Sequence, residues 1–232
     1  LALNATVLGC YALDIADYAA VEAMAKELHQ GGSFDQLYNI AGISIWGSIE
    51  NLEIAHWRRL LDINVMGVVH VLKAFTPTMI AAGQGGHIIN VSSAAGLFGL
   101  PWHSAYSASK FAVRGLSEVL RFDLKAAGIH MSLVCPGAVD SGLVQTIQIA
   151  GVDKESPRIK KLSKRFQRHA ISPEQAAVAI LSGVRKKRYM VYTSKDIAFG
   201  YWFTRKWSWP YEQIMNLANK ILVRTAKRSL LP

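Results

Sequence analysis

Gly85-Gly86-His87-Ile88-Ile89-Asn90-Val91-Ser92-Ser93, followed by Tyr106-Ser107-Ala108-Ser109-Lys110, is the stretch around which the chain is organised. His87 to Val91 is a short, mostly apolar run opened by glycines. It reads as a buried strand that ends in Ser92 and Ser93. Tyr106, Lys110 and Val113 recur near the helical period, and Leu116, Val119 and Leu120 continue an apolar face. Tyr106 and Lys110 are four residues apart, so their side chains share one helix face, one turn from each other. A free tyrosine ionises near pH ~10. An ammonium beside it stabilises the phenolate and lowers that value, which makes the phenol a usable acid or base near neutrality. A serine hydroxyl at the neighbouring strand end can bond the same substrate oxygen. This is chemistry for moving a proton on an alcohol or carbonyl oxygen.

Tyr-x-x-x-Lys by itself occurs by chance in many helices, as a packed Tyr beside a solvated Lys. Here Ser93 precedes Tyr106 by thirteen residues, at the end of a strand running into Asn90-Val-Ser-Ser-Ala-Ala-Gly96. The segment resembles the active site of the short-chain dehydrogenase/reductase family. Further motifs in the expected order extend the resemblance from residue 5 to about residue 195.

A chain of 232 residues, 51% hydrophobic and 18% charged, suffices for one well-cored α/β domain. Mean hydropathy is +0.18, yet no uninterrupted apolar run approaches ~18 residues, so no transmembrane helix is expected. Leu1-Ala-Leu-Asn4 has neither a basic opening nor a cleavage pattern, so no signal peptide is expected and the cytoplasm is the expected compartment. Cys10 and Cys135 each lie in an apolar strand-like run, which reads as reduced core cysteines rather than a disulfide or a metal site. The net charge of +10 is lopsided. Residues 1–152 carry 8 Lys and Arg against 11 Asp and Glu; residues 153–232 carry 18 against 5. No nucleic-acid-binding motif accompanies that basic excess, so nucleic acid is not an expected partner.

Strands are expected at 5–13, 36–40, 87–91, 130–135 and 188–193. Helices are expected from Asp17, from Glu53 to Leu61, from Asp62 to Met79, from Tyr106 to about Ala127, and from Ser172 to about Gly183. Ser172-Pro-Glu-Gln175 carries a Ser cap, a Pro at the first position and a Gln at the capping-box position. Such alternation means an α/β, Rossmann-like, doubly wound parallel sheet in a single domain over 1–195. A C-terminal helical and aromatic extension covers 196–232. Dinucleotides bind such sheets at the carboxyl ends of the strands, where Asp14, Asn39, Ser93 and Pro136-Gly137 fall. A Gly-rich turn after the first strand is the usual pyrophosphate holder. The family's form of it, Thr-Gly-x-x-x-Gly-x-Gly, does not occur in 1–232. A strand at 5–13 without the family's two preceding strands would leave the sheet open at its centre. The working protein is therefore expected to extend upstream by roughly 50 residues, about one strand–helix–strand stretch.

The resemblance implies roles residue by residue. Tyr106 is the general acid/base, Lys110 lowers its pKa and holds the nicotinamide ribose, Ser93 stabilises the substrate oxygen, and Asn64 bends its helix and supports a proton relay to Lys110. Asp14 either bonds the adenine amino group or caps a helix. Asn39-Ile-Ala-Gly42 corresponds to the family's Asn-Asn-Ala-Gly: Asn39 pins the central strands, and Ala41 and Gly42 let the adenosine ribose approach. Pro136-Gly137-Ala-Val139-Asp-Ser141 resembles the family's Pro-Gly-x-Val-x-Thr. There the backbone of Val139 holds the carboxamide, and Ser141 keeps the hydroxyl. Leu100, Trp102 and His103 lie between Ser93 and Tyr106 and are expected at the substrate pocket, with Ser93, Trp102 and Leu143 as substrate contacts and a flap over Leu143, Val144 and Ile147. Helices 62–79 and 106–127 imply a homodimer interface, with a tetramer beyond it.

The expected function is hydride transfer between NAD or NADP and a small-molecule alcohol or ketone of hydrophobic character, with no metal. A catalytically idle dinucleotide-binding scaffold, regulatory or membrane-associated, is the alternative from another class, and an epimerase or dehydratase on a similar fold is the enzymatic one. The extension interleaves Tyr201, Trp202, Phe203, Trp207, Trp209 and Tyr211 with Arg205 and Lys206. Packing over the substrate mouth or a second subunit is the preferred reading for it, ahead of peripheral membrane contact through 196–232.

Overall fold

Four strands form a parallel sheet: β1 (Gln36–Asn39), β3 (Gly86–Val91), β4 (Ile129–Cys135) and β6 (Met190–Tyr192), in the order β1-β3-β4-β6. The computed structural model describes residues 6–153, 156, 157, 159, 160 and 170–229. The side chain of Val144, expected in the flap, lies outside them, as do 161–169 and 230–232. Buried Ile88, Ile89, Leu133, Val134 and Val191 come from the three strands β3, β4 and β6. Such apolar runs belong to a parallel sheet covered on both faces.

Helix α1 (Tyr18–Leu28) begins where the Asp17 side chain accepts from Ala20 N, and the chain turns at Gly32. Helix α2 (Ile54–Leu61) carries a capping box between Glu53 and His56. It runs without a break through a π turn at Asp62–Met66 into α3 (Gly67–Ala82). The 29-residue run Ile54–Ala82 is long and apolar enough, by length and composition, to cross a membrane. This differs from the expectation drawn from uninterrupted apolar stretches. Val68, Leu72 and Met79 on this run pack into the core beside Ile88 and Ile129.

Helix α4 (Ser104–Asp123) crosses the sheet after the turn at Ala94–Gly96. Gly96 is required there, since a Cβ would sit 2.8 Å from the carbonyl oxygen of Lys110. Helices α5 (Gly142–Thr146) and α6 (Pro173–Arg185) follow, the latter with the expected Ser172–Gln175 capping box. Helices α7 (Lys195–Lys206) and α8 (Ser208–Ser229) make up the extension.

Two features depart from the sequence reading. Residues 6–13 form no strand. A strand exists only through its ladder partner, and none is present for this segment among the described residues. Val7 and Leu8 are exposed, and so is Cys10, which is not the core cysteine expected; Cys135 is buried. Conversely, an unexpected pair forms between β2 (Ile45–Trp46) and β5 (Gln148–Ile149), parallel, in a second sheet.

Candidate active site

Carboxyl ends of β1, β3 and β4 carry Asn39, Ser93 and Pro136-Gly137 as predicted, whereas Asp14 follows no strand. Asn39 at the end of β1 donates from Nδ2 to Asn90 Oδ1 at 2.8 Å, and Asn90 donates onward to Ser117 Oγ at 2.9 Å. All three are buried, so Asn39 does pin the central strands. Beyond β3, Ser92 donates to the carbonyl of Lys110 at 2.8 Å, a structural partnership that ties strand end to α4. Ser93 is left to face Tyr106. Its Oγ accepts from Ala95 N at 3.1 Å and stands near enough to the Tyr106 phenol to favour its ionised form.

Tyr106 and Lys110 are both buried, 8% and 5% exposed, which matters because burial governs both pKa values. Burial raises the Tyr106 phenol above its ordinary value, with the Ser93 hydroxyl opposing. Lys110 is not among the groups that move it; its Nζ lies 6.0 Å from the ring centroid. The expected lowering of the phenol by Lys110 is thus reversed in this state, because desolvation outweighs an ammonium at that distance. Lys110 is itself lowered from 10.5 to about 8 by burial, and one of its N–H donors goes to Val91 O at 3.1 Å.

That shift sets a pH dependence. Between pH 8 and 10 the unfolded chain keeps the lysine proton and the folded chain releases it, so stability rises with pH. At ~1.4 kcal/mol per unit the gain is roughly 2 kcal/mol. Above pH ~10 unfolded tyrosines ionise while Tyr106 holds its proton, which reverses the trend. Urea unfolding at pH 8 and pH 10 should show the rise in the parent chain and lose it in Lys110→Met. A rise of equal size in both would assign it to other groups.

Asn64 is fully buried in the π turn. Its Oδ1 accepts from Ile43 N at 2.8 Å, and its Nδ2 donates to Ile43 O and to Ser109 Oγ, each at 3.0 Å. Ser109 in turn donates to Tyr106 O at 2.7 Å. The side chain therefore clamps the loop after β1 to the helix that carries Tyr106. Gly42 packs closely beside it. A Cβ there would lie 3.1 Å from Asn64 Oδ1 and 3.4 Å from Lys110 Nζ. Ala41 precedes it at the same strand-end loop.

Pro136 O accepts from Ala94 N at 2.8 Å, and Gly137 N donates to Thr193 Oγ1 at 3.3 Å, so the turn after β4 is tied to its neighbours on both sides. Val139 pairs with Ile171, its carbonyl accepts from Ser141 N at 2.9 Å, and Ser141 precedes α5. Asp14 is exposed. Its Oδ1 accepts from Ala16 N at 2.9 Å, which holds the turn into α1, while Asp17 is the cap itself.

A family model described as short chain dehydrogenase matches residues 3–150. The chain belongs to the short-chain dehydrogenase/reductase family. It is 37% identical over 177 residues to the Mycobacterium tuberculosis oxidoreductase SadH, covering 75% of this chain and 63% of that protein. It is also 37% identical over 177 residues to the 3-dehydrosphinganine reductase of Danio rerio, covering 75% of this chain and 51% of that one. The chain thus spans about half to somewhat under two thirds of these relatives. Among solved structures, a short-chain dehydrogenase/reductase from Burkholderia phymatum in complex with NAD aligns with TM-score 0.74 at 27% identity, over 83% of this chain and 73% of that one. A gluconate 5-dehydrogenase from Burkholderia cenocepacia in complex with NADP and tartrate aligns with TM-score 0.54 at 33% identity, over 56% and 51%.

The surroundings of Tyr106 in this short-chain dehydrogenase/reductase were only partly legible. Trp46 was missed. The β2–β5 pair carries it to His103, ring centroids 4.3 Å apart, and His103 meets Tyr106 edge-on at 6.3 Å. Apolar Ile43, Ile45 and Trp46 alternating with Ser44 after Gly42 was the available signal. His103 is held in its neutral form, with Nδ1 the protonated nitrogen. Burial lowers its pKa, and Nδ1 donates to Pro101 O at 2.7 Å. Leu100, expected at the substrate pocket, packs against the cluster that contains Tyr106. Trp102 holds a positive φ of 67°, unusual for a bulky residue, with its carbonyl accepting from Gly47 N at 2.8 Å. Leu143 lies on α5, partly exposed.

Proposed function

We propose that the protein moves a hydride between NAD or NADP and an alcohol or carbonyl compound, with Tyr106 as the general acid/base. The observation that carries this reading is the convergence at the carboxyl ends of the sheet of Tyr106 and Lys110, both buried, with Ser93, half-buried, beside the phenol. NAD or NADP, when bound, supplies or accepts the hydride. The residues present fit the nicotinamide half. Gly42 leaves open the approach to Asn64 and Lys110, and Lys110 has N–H donors beyond the one spent on Val91 O for ribose hydroxyls. The Pro136–Ser141 turn would hold the carboxamide, with Asn39, Ala41 and Asp14 along the adenosine side. No Gly-rich pyrophosphate turn occurs in this sequence.

In reduction, the Tyr106 hydroxyl gives its proton to the carbonyl oxygen as carbon receives the hydride. Ser93 donates a hydrogen bond to the same oxygen beforehand. The phenolate left behind has the Ser93 hydroxyl as the neighbour that favours it, and solvent reprotonates it through the Lys110 side. A phenol kept neutral by burial is the form that can donate. Since the Asn64 amide is committed to Ile43 and Ser109, Asn64 serves here by positioning Tyr106, and any relay through it uses backbone. Trp46, Leu100, Trp102 and Leu143 favour a hydrophobic substrate. An idle scaffold would bear the desolvation of a buried lysine without use for it, which counts against that alternative.

The test offers the protein NADH or NADPH with aliphatic and aromatic ketones and follows loss of the reduced nicotinamide absorbance. Turnover is expected with one cofactor. Tight dinucleotide binding with no hydride transfer across the set would leave the scaffold reading instead. A homodimer is part of this proposal, in the cytoplasm, through the open faces of α3 and α4. Met66, Ile80, Phe111, Val119 and Phe122 stand exposed there. Sedimentation showing monomer alone at micromolar concentration would contradict it.

A further inference from the structure

The extension is bound to the body on one side and apolar on the other. Its inner side meets the body at a few points. Ile197 of α7 fits against Gly137, where a Cβ would lie 3.0 Å from it. Arg114 donates to Tyr201 Oη at 2.7 Å, and Gly200 faces Phe98. Tyr211 of α8 donates to Gly99 O at 2.6 Å. Phe98 and Gly99 belong to the loop between Ser93 and Tyr106, so the extension sits beside the expected substrate mouth. The extension thus packs on that loop and on the Pro136-Gly137 turn, whereas the cover expected over Trp202, Trp207 and Trp209 is not formed.

Its outer side keeps its rings in solvent. Phe199, Trp202, Trp207 and Trp209 are 62%, 49%, 48% and 69% exposed, an area too large and too contiguous to be incidental. Phe199 meets Trp202 at 5.8 Å between centroids, and Trp202 meets Trp207 at 5.3 Å. Along α8 the exposed residues Ile214, Leu217 and Ile221 recur at helical spacing and extend the same kind of surface. Residues 195–229 hold seven Lys and Arg against two acids, Asp196 and Glu212.

The geometry points to an anionic lipid bilayer as the partner of this surface, with the aromatic rings seated at headgroup level and Arg205, Lys206, Lys220 and Arg224 among the phosphates. A second copy of the chain is the poorer fit. A two-fold contact through this face would set one basic tail against another, with like charges opposed. A bilayer supplies both the apolar layer and the opposite charge. The docked protein would hold its 98–103 loop against the membrane, where a hydrophobic alcohol or carbonyl compound dissolves. That last consequence rests on the Tyr106 reading; the docking itself does not.

The test uses the full chain with phosphatidylcholine vesicles, with and without phosphatidylserine, read by co-flotation and by tryptophan emission. Binding is expected only with phosphatidylserine, with a blue-shifted emission, and it should weaken as salt rises. At the usual strength per surface base, Arg205→Ala with Lys206→Ala should reduce binding on the order of 30-fold. Trp202→Ser with Trp209→Ser should weaken it at low salt as well, and circular dichroism of both variants confirms that the fold persists. Failure to partition onto phosphatidylserine vesicles, or binding unchanged in both variants, would overturn the proposal. So would loss of a dimer in these variants without vesicle binding, which would make the second copy the occupant. Tyr106→Phe should bind vesicles as the parent does. A protein that docks but transfers no hydride would therefore remove the catalytic reading and leave this one standing.

Discussion

Tyr106→Phe should slow hydride transfer by a factor on the order of 10²–10⁴, the share usually supplied by a positioned acid or base. The change removes one oxygen and keeps the ring. Tyr106 packs in a cluster with the apolar Ile45, Leu60 and Ala105. The fold should therefore persist, and dinucleotide affinity should change little because the ribose is held from Lys110. The loss should fall on kcat rather than on substrate affinity, since the proton is needed in the transition state. The Ser93 hydroxyl keeps the bond from Ala95 N. Stopped-flow measurement of hydride transfer in the parent and the variant decides the matter. Equal rates would show that another group moves the proton.

Asn64→Ala should have the largest effect on stability of any single polar substitution at the site. The amide makes three hydrogen bonds in a fully buried position, and its removal strands both the N–H and the C=O of Ile43. Each buried backbone group left without a partner costs about 1–3 kcal/mol. A total of roughly 3 kcal/mol is expected, which for a chain of this size lowers Tm by about 10 °C. Activity should fall as well, because Asn64 reaches the carbonyl of Tyr106 through Ser109. A purely structural residue would lower stability alone. A positioning residue should also lower kcat at a temperature where the variant is fully folded, with KM changing less. Asn64→Asp is the companion variant. It keeps the shape and places an acceptor opposite Ile43 O, so it should also destabilise. Unchanged melting in both variants would mean that the π turn holds without its amide.

Local rules sufficed wherever the determining contacts lie within one turn or one strand. The i, i+4 spacing of Tyr106 and Lys110, the Asp17 and Ser172 caps, and the apolar runs of β3 and β4 depend on neighbours in sequence, and the structure keeps all of them. The family motifs likewise put Asn39, Ser93 and Pro136-Gly137 at strand ends in the right order. Several properties belong to pairs of distant segments, and these only the tertiary structure decided. Residues 6–13 look like a strand but have no ladder partner among the described residues, so periodicity had no means of telling extended from paired. Ile45–Trp46 is too short to register as a strand, and becomes one only because Gln148–Ile149 lies alongside. Asn64 was visible as an anomaly in a helix, yet its partners at Ile43 and Ser109 are 21 and 45 residues away. The sign of the Tyr106 shift also escaped a reading based on spacing. Spacing counts the charge one turn away, whereas the protonation state of a phenol depends on how much water the whole fold removes from around it, and here burial prevails.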